Sequence, residues 1–267
     1  MRRIIMRMIV TNMADTNLYA LILALAAAVV TGLVGGFALM KRMTLAGDAM
    51  SHIALPGLGL AILFNVQPVI GAAVALALGA VLIWKIEDRT DLATETTIGV
   101  IFSASLALGA LVTPSEDIIE ALFGGASPVS LATLAVYLLL AAAIALFVWK
   151  ERSKLVLSLF NSDLATVTGV NVNRLNIYYL LAFAATLVLG LRFLGALLVG
   201  ALIIIPAAIS HQFTHTLGKF LAFSAAASVL SVATGFWIAS TFKLDTGPTI
   251  VSVAAGLFFL SLLKKKQ

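Results

Sequence analysis

The sequence predicts an all-α protein, a polytopic transmembrane helix bundle of eight or nine spans, and three observations lead there. Of its 267 residues 61% are hydrophobic and 11% charged, against roughly 45–50% and about 25% in an ordinary globular domain. Mean hydropathy is +1.10, which excludes a water-soluble fold. The apolar residues also fall into runs of the length, about 20 helical residues, that a hydrocarbon core of about 30 Å demands. The charges sum to +5 and collect in short clusters between those runs. That is the pattern of membrane loops, so no nucleic-acid partner is expected.

The elements follow in order. Arg2, Arg3 and Arg7 precede an apolar run longer than a signal-peptide core, so the N-terminal segment reads as retained. Six spans contain no Asp, Glu, Lys or Arg: residues 18–40, 68–84, 96–113, 131–149, 220–240 and 247–263. The run 49–64 reaches spanning length only if it begins near Met43, which draws Asp48 into the membrane. The stretch 177–210 is too long for one span and is interrupted by Gly190, Arg192 and Gly195. It is either two short helices or one helix with a re-entrant piece buried in protein, and this choice sets eight or nine. With no repeat and no linker, residues 1–267 form a single transmembrane domain. Gly32 and Gly36 give a GxxxG spacing in the first span; packing within the chain is the expectation and a contact between subunits the alternative.

Loop charge orients the bundle, because short cytoplasmic loops are rich in Lys and Arg. Lys41 and Arg42, Lys85 and Arg89, and Lys150, Arg152, Lys154 and Arg174 share one side if residues 65–67 are a tight turn on the other. The segment 114–130, with Glu116, Asp117 and Glu120 and no basic residue, fits the outside; the tail Lys264, Lys265, Lys266 fits the inside. Nine spans then place the N-terminus outside, against the tendency of the arginines ahead of the first span.

Ionisable residues inside a membrane are costly and mark transport paths. Asp48 and His52 are four apart, so on a helix they share one face with Cβ atoms about 5–6 Å apart, close enough to grip one cation. The chain has no cysteine, so a metal must be held by nitrogen and oxygen, and a carboxylate with an imidazole suits Zn²⁺ or Mn²⁺. Pro56-Gly57 just beyond would loosen the helix and free carbonyls. The alternative is that Asp48 caps a helix at the interface and His52 is a packing residue. A second pair, His211 and His215, lies at the cytoplasmic surface beside Lys219 without a carboxylate and reads as solvated. Pro206 ends a long apolar run there, and the short segment after it, with Ala207, Ser210, His211, Gln212, His215 and Lys219, reads as a docking surface. In the loop 153–176, Ser162 is a helix N-cap candidate before Asp163, Val167 lies within the short helix, and Gly169 sits where a C′ glycine would close it. Either a partner docks on that helix or the loop is merely ordered. No phosphate-binding G-x-x-x-x-G-K-[ST], H-E-x-x-H or G-x-S-x-G occurs, so an enzyme is not expected.

Two passages, residues 41–57 (KRMTLAGDAMSHIALPG) and 193–208 (FLGALLVGALIIIPAA), resemble the integral-membrane permease subunit of bacterial zinc and manganese ABC importers. Leu122-Phe123-Gly124, Asp163-Leu164-Ala165 through Gly169-Val170, and Thr246-Gly247-Pro248 add to the resemblance. It implies a homodimer in the bacterial inner membrane, two cytoplasmic ATPase subunits, and an extracytoplasmic metal-binding protein. It further implies Asp48 and His52 on the path of a transported Zn²⁺ or Mn²⁺, no permanent cofactor, and ATPase docking at 206–219 and 153–174. The family usually has Asp where Asn161 stands and a more basic segment than 211–219. The alternative function is a secondary transporter or channel for a small cation acting alone, which would show intramembrane charge pairs or an inverted repeat.

Overall fold

A computed structural model describes the backbone of residues 2–43, 46–90, 92–112 and 130–263, with side chains from Leu18 onward except at 192–194 and 196–197. Among the described residues there are nine α-helices and no strand: α1 Arg2–Met40, α2 Ala46–Leu63, α3 Pro68–Arg89, α4 Thr94–Val112, α5 Leu131–Phe160, α6 Ser162–Val167, α7 Val172–Phe213, α8 Leu217–Phe242 and α9 Thr246–Leu262. Seven helical segments are long and apolar enough to cross a membrane, and two shorter apolar helices, Leu198–Phe213 and Thr246–Leu262, accompany them. The expected helix bundle is what forms. The acidic segment 114–129, the Leu122-Phe123-Gly124 turn, the lysine tail and the side chains of Arg2, Arg3 and Arg7 lie outside the described residues.

Burial separates centre from periphery. In the apolar windows of α2 and of the first part of α7, 61% of residues are buried, against 22% in α5 and 28% in α3 and α4. The centre is therefore α1, α2 and α7, ringed by helices that present apolar faces outward.

Lipid tails are as apolar as leucine, so packing and interhelical hydrogen bonds hold such a bundle together. The α1–α8 contact shows both. A Cβ on Gly32 would come 2.6 Å from Ala225 Cα, Ser224 Oγ donates to the Gly32 carbonyl at 2.7 Å, and the Thr31 and Ser228 hydroxyls pair at 3.1 Å. The glycine spacing thus serves packing within the chain.

The stretch 177–210 is resolved by a break. Gly195 takes φ 71°, ψ 169°, inside α7. In a straight helix Gly190 and Val199 would stand about 13.5 Å apart, yet a Cβ on Gly190 would come 2.8 Å from Val199 Cγ2. The chain folds on itself at Gly195, giving the limbs Val172–Leu191 and Leu198–Phe213. Pro206 does not end the second limb, as the sequence suggested, because the helix runs through it to Phe213. A proline in a membrane helix forfeits one backbone bond, and neighbouring packing tolerates the loss. Pro56 likewise sits inside a continuous α2.

At one end of the bundle Lys41 Nζ donates to Asn176 Oδ1 at 2.6 Å, Asn176 Nδ2 to Glu87 Oε2 at 2.8 Å and Asn173 Nδ2 to Asp88 Oδ1 at 2.6 Å. The ends of α1 and α3 and the start of α7 therefore meet, as the basic-loop pattern requires. The geometry at Gly195 is open essentially to glycine alone, other residues losing about 1–3 kcal/mol there. Gly195→Ala should melt several degrees below the parent in detergent, by tryptophan fluorescence, whereas Gly218→Ala, where a Cβ meets nothing within 4 Å, should not.

Candidate functional site

Asp48 is the third residue of α2, inside its first turn. After Lys41 the chain turns back into the protein: Arg42 adopts φ 58°, Met43 N bonds to the Ala38 carbonyl at 2.9 Å, and Met43 is buried. The first turn of α2 then presses on the second limb of α7, where a Cβ on Gly200 would come 2.7 Å from Asp48 N. Gly200 lies 13 residues, about 20 Å of helix, ahead of the limb's end at Phe213. The first turn of α2 is thus set about that far from the α7–α8 corner.

Asp48 is exposed on the surface of the single chain and His52 half-buried. His52 Nδ1 lies 2.9 Å from the Asp48 carbonyl oxygen. A carbonyl only accepts, so Nδ1 carries the proton and Nε2 of the neutral ring keeps its lone pair. Phe102 of α4 meets the imidazole edge-on, centroids 5.4 Å apart and planes at 87°. Ser51 Oγ donates to the same Asp48 carbonyl at 2.7 Å, so the carboxylate is carried on a backbone already hydrogen-bonded. Chemically this is one anionic oxygen donor and one imidazole nitrogen one helical turn apart. Among the described residues no group of three His, Cys, Asp or Glu could hold a metal, so within them Asp48 and His52 stand as a pair.

The other expected pair does not form. His211 lies on the last turn of α7, its ring edge-on to Phe220 at 6.4 Å. Thr214 is extended at φ −131°, ψ 143°, so His215 falls in the turn to α8 and the two histidines lose their common face. Of the residues read as a docking surface, Pro206, Ala207 and Ser210 are instead buried. Ser210 Oγ donates to the Phe220 carbonyl at 2.6 Å, closing the α7–α8 corner. His211, His215 and Lys219 are exposed and Gln212 half-exposed, and these form the accessible part of that surface.

The helix expected in the 153–176 loop is α6, with one change at its start. Asn161, not Ser162, is the N-cap, its Oδ1 accepting from Leu164 N at 2.9 Å. Gly169 at φ 84° closes it as expected, with Val170 N bonded to the Ala165 carbonyl at 2.9 Å. Asp163 is exposed, and so are three large apolar residues, Phe160 and Val167 at 85% and Leu164 at 50%. Beside α6 lies a cavity of about 650 Å³ lined in part by Lys41, Trp84, Glu87, Asp88, Asn173 and Asn176. Trp84 Nε1 donates to Asn173 Oδ1. Sequence reading passed over these six; their one local signal is that Asn173 and Asn176, three apart, share a face of α7. Burial lowers the Lys41 amine to about 8, the nearby Glu87 carboxylate opposing the shift.

The profile of the ABC 3 transport family matches residues 13–265. The chain is 30% identical over 251 residues to a manganese transport system membrane protein, MntC, of Listeria monocytogenes, covering 91% of this chain and 89% of that protein. It is 28% identical over 257 residues to the high-affinity zinc uptake system membrane protein ZnuB of Haemophilus influenzae, covering 93% and 97%. Among solved structures it is similar to PsaBC from Streptococcus pneumoniae in complex with Fab, with a TM-score of 0.78, 30% identity, and 91% and 89% of the two chains covered.

The Lys41 environment gives a signed test. Between about pH 8 and its ordinary value of 10.5 the unfolded chain holds more of this proton than the folded one, so stability rises with pH through that window. The melting temperature of the parent relative to Lys41→Met should therefore climb between pH 7.5 and 9.5, measured in the same detergent.

Proposed function

The chain belongs to the ABC 3 transport family, and from that membership and the Asp48–His52 geometry we propose that it is the membrane permease subunit of an ATP-binding-cassette importer carrying zinc or manganese into the cytoplasm. It is a multi-pass membrane protein and not itself an enzyme; in this reading ATP is hydrolysed by two separate cytoplasmic subunits. The observation that carries the metal assignment is His52, whose Nδ1 is occupied by the Asp48 carbonyl while Nε2 remains available one helical turn from the Asp48 carboxylate, on the α2 turn that packs against Gly200 of the second limb of α7.

One full negative charge suits a transit site, which must bind a divalent ion well enough to admit it and weakly enough to release it. The ligand set is completed either by a second copy of the chain bringing its own Asp and His to a shared site or by carbonyls near Pro56-Gly57 and water, and the working unit is a homodimer in the bacterial inner membrane. An extracytoplasmic metal-binding protein delivers the ion to its outer face. On the inner face the ATPases engage His211, Gln212, His215 and Lys219 at the α7–α8 corner, and Asp163 and Val167 on α6. Carboxylate plus imidazole serves Zn²⁺ and Mn²⁺ alike, and the relatives named above include one manganese and one zinc system.

Asp48→Ala and His52→Ala should each assemble with the ATPase and hydrolyse ATP while metal uptake into proteoliposomes falls about a hundredfold or more, the scale of losing a metal ligand contact. Normal uptake by both variants would make the pair structural. The permease reconstituted alone should import no metal; robust uptake without any ATPase would instead favour a secondary transporter or channel. The chain has no cysteine, so cysteines placed at Gln212 and Val167 should cross-link to the ATPase, and labelling of both only from outside the cell would reverse the assigned sidedness.

A further inference from the structure

We propose that Asn173 and Asn176 are the coupling residues of the transporter, their hydrogen bonds passing movement of α6 to the ends of α1 and α3 and so to the turn that carries Asp48. This rests on the reading of α6 as an ATPase contact.

The connection from α6 to α7 is short and stiff. Val170 N bonds back to the Ala165 carbonyl at 2.9 Å, and Asn171 caps α7 with its Oδ1 accepting from Arg174 N at 2.9 Å. A displacement of α6 is thereby delivered to the first turn of α7. There the two side-chain amides each hold two neighbours. Asn176 accepts from Lys41 at 2.6 Å and donates to Glu87 at 2.8 Å; Asn173 accepts from the Trp84 indole and donates to Asp88 at 2.6 Å. An amide engaged on both its oxygen and its nitrogen cannot shift without dragging or releasing two partners. One turn further on, Tyr179 Oη donates to the Val34 carbonyl at 3.1 Å and its ring lies 4.7 Å under Lys41 Nζ. Lys41 is therefore held to α7 by two groups, and Asp48 follows it by seven residues. The second limb of the same α7 packs on Asp48 through Gly200, so one helix meets both the docking helix and the metal site.

The network also has room for a second arrangement. Glu87 Oε1 is buried without a hydrogen-bond partner, while the Lys41 ammonium that could satisfy it is bonded to the intervening amide. Among the described residues no Lys41–Glu87 ion pair exists. Withdrawal of Asn176 lets Lys41 and Glu87 meet directly, and the adjoining cavity of about 650 Å³ provides the space. Two discrete packings of one polar cluster are what an allosteric element requires.

The test uses the whole importer, permease with ATPases and binding protein, in proteoliposomes, with metal uptake and ATP hydrolysis read from the same vesicles. Asn176→Leu keeps the shape of the side chain and removes both bonds. Metal moved per ATP should fall about tenfold or more while ATPase assembly and hydrolysis persist; a ratio within about twofold of the parent overturns the proposal. As a control on folding, Lys41→Cys with Asn176→Cys is bridged by a short bifunctional methanethiosulfonate. Reduced, this variant lacks the Asn176 bonds and should show the lowered ratio of Asn176→Leu; bridging ties the end of α1 to α7 again and should raise metal moved per ATP severalfold, and no rise on bridging overturns the proposal. Absence of a Val167 cross-link to the ATPase in an importer that works overturns instead the docking reading beneath it, which separates the two failures.

Discussion

A hydrocarbon core supplies no water, so each buried polar group in this protein must find its partner within the chain, and the architecture follows from how that demand is met. Most hydroxyls of the spans are returned to their own helices: Thr186 donates to the Ala182 carbonyl and Ser231 to that of Ala227. A few are spent between helices, as at Thr31 with Ser228 and Ser224 with Gly32, and these tie α1 to α8. Against that background the exceptions stand out. Asp48 lies open on the surface of the chain, and the Nε2 of His52 is the unused nitrogen of a ring whose other nitrogen is fixed. Uncompensated polarity in this setting is costly, and it is retained where an ion must be met.

The break in α7 gives the exceptions their place. Had the helix run straight, Gly200 could not return to the level of α2. Folding at Gly195 turns one long apolar run into two packed limbs and brings Gly200 and Gly47 together closely enough that neither position has room for a Cβ without movement. The first limb keeps its start at the cytoplasmic cluster with Lys41, Glu87 and Asp88. One helix therefore has a fixed relation both to the turn that carries Asp48 and to the polar cluster beside α6.

The cytoplasmic face divides its labour in a similar way. Residues that the sequence grouped as one docking segment separate into a buried corner, Pro206, Ala207 and Ser210, and an exposed rim, His211, His215 and Lys219. The corner lends stiffness and the rim lends contact. The exposed Phe160 ends α5, and the exposed Leu164 and Val167 follow on α6.

What the sequence by itself determined is what the membrane imposes locally. Six charge-free spans follow from a thickness that can be laid along the chain, and the common face of Asp48 and His52 from 3.6 residues per turn. The glycines at 32 and 36 announced a close helix contact, though not that α8 makes it. The tertiary structure alone decided the rest. It set the backbone of Asp48 against Gly200, separated His211 from His215 by an extended Thr214, and buried Pro206, Ala207 and Ser210 of the anticipated docking segment. It also joined Asn173 and Asn176 to Asp88, Glu87 and Lys41 across 85 to 135 residues of chain. Periodicity and hydropathy report only a residue's neighbours along its own helix. Which helices meet, and at what depth, depends on a fold at Gly195 and on glycine contacts whose partners lie far away in the chain.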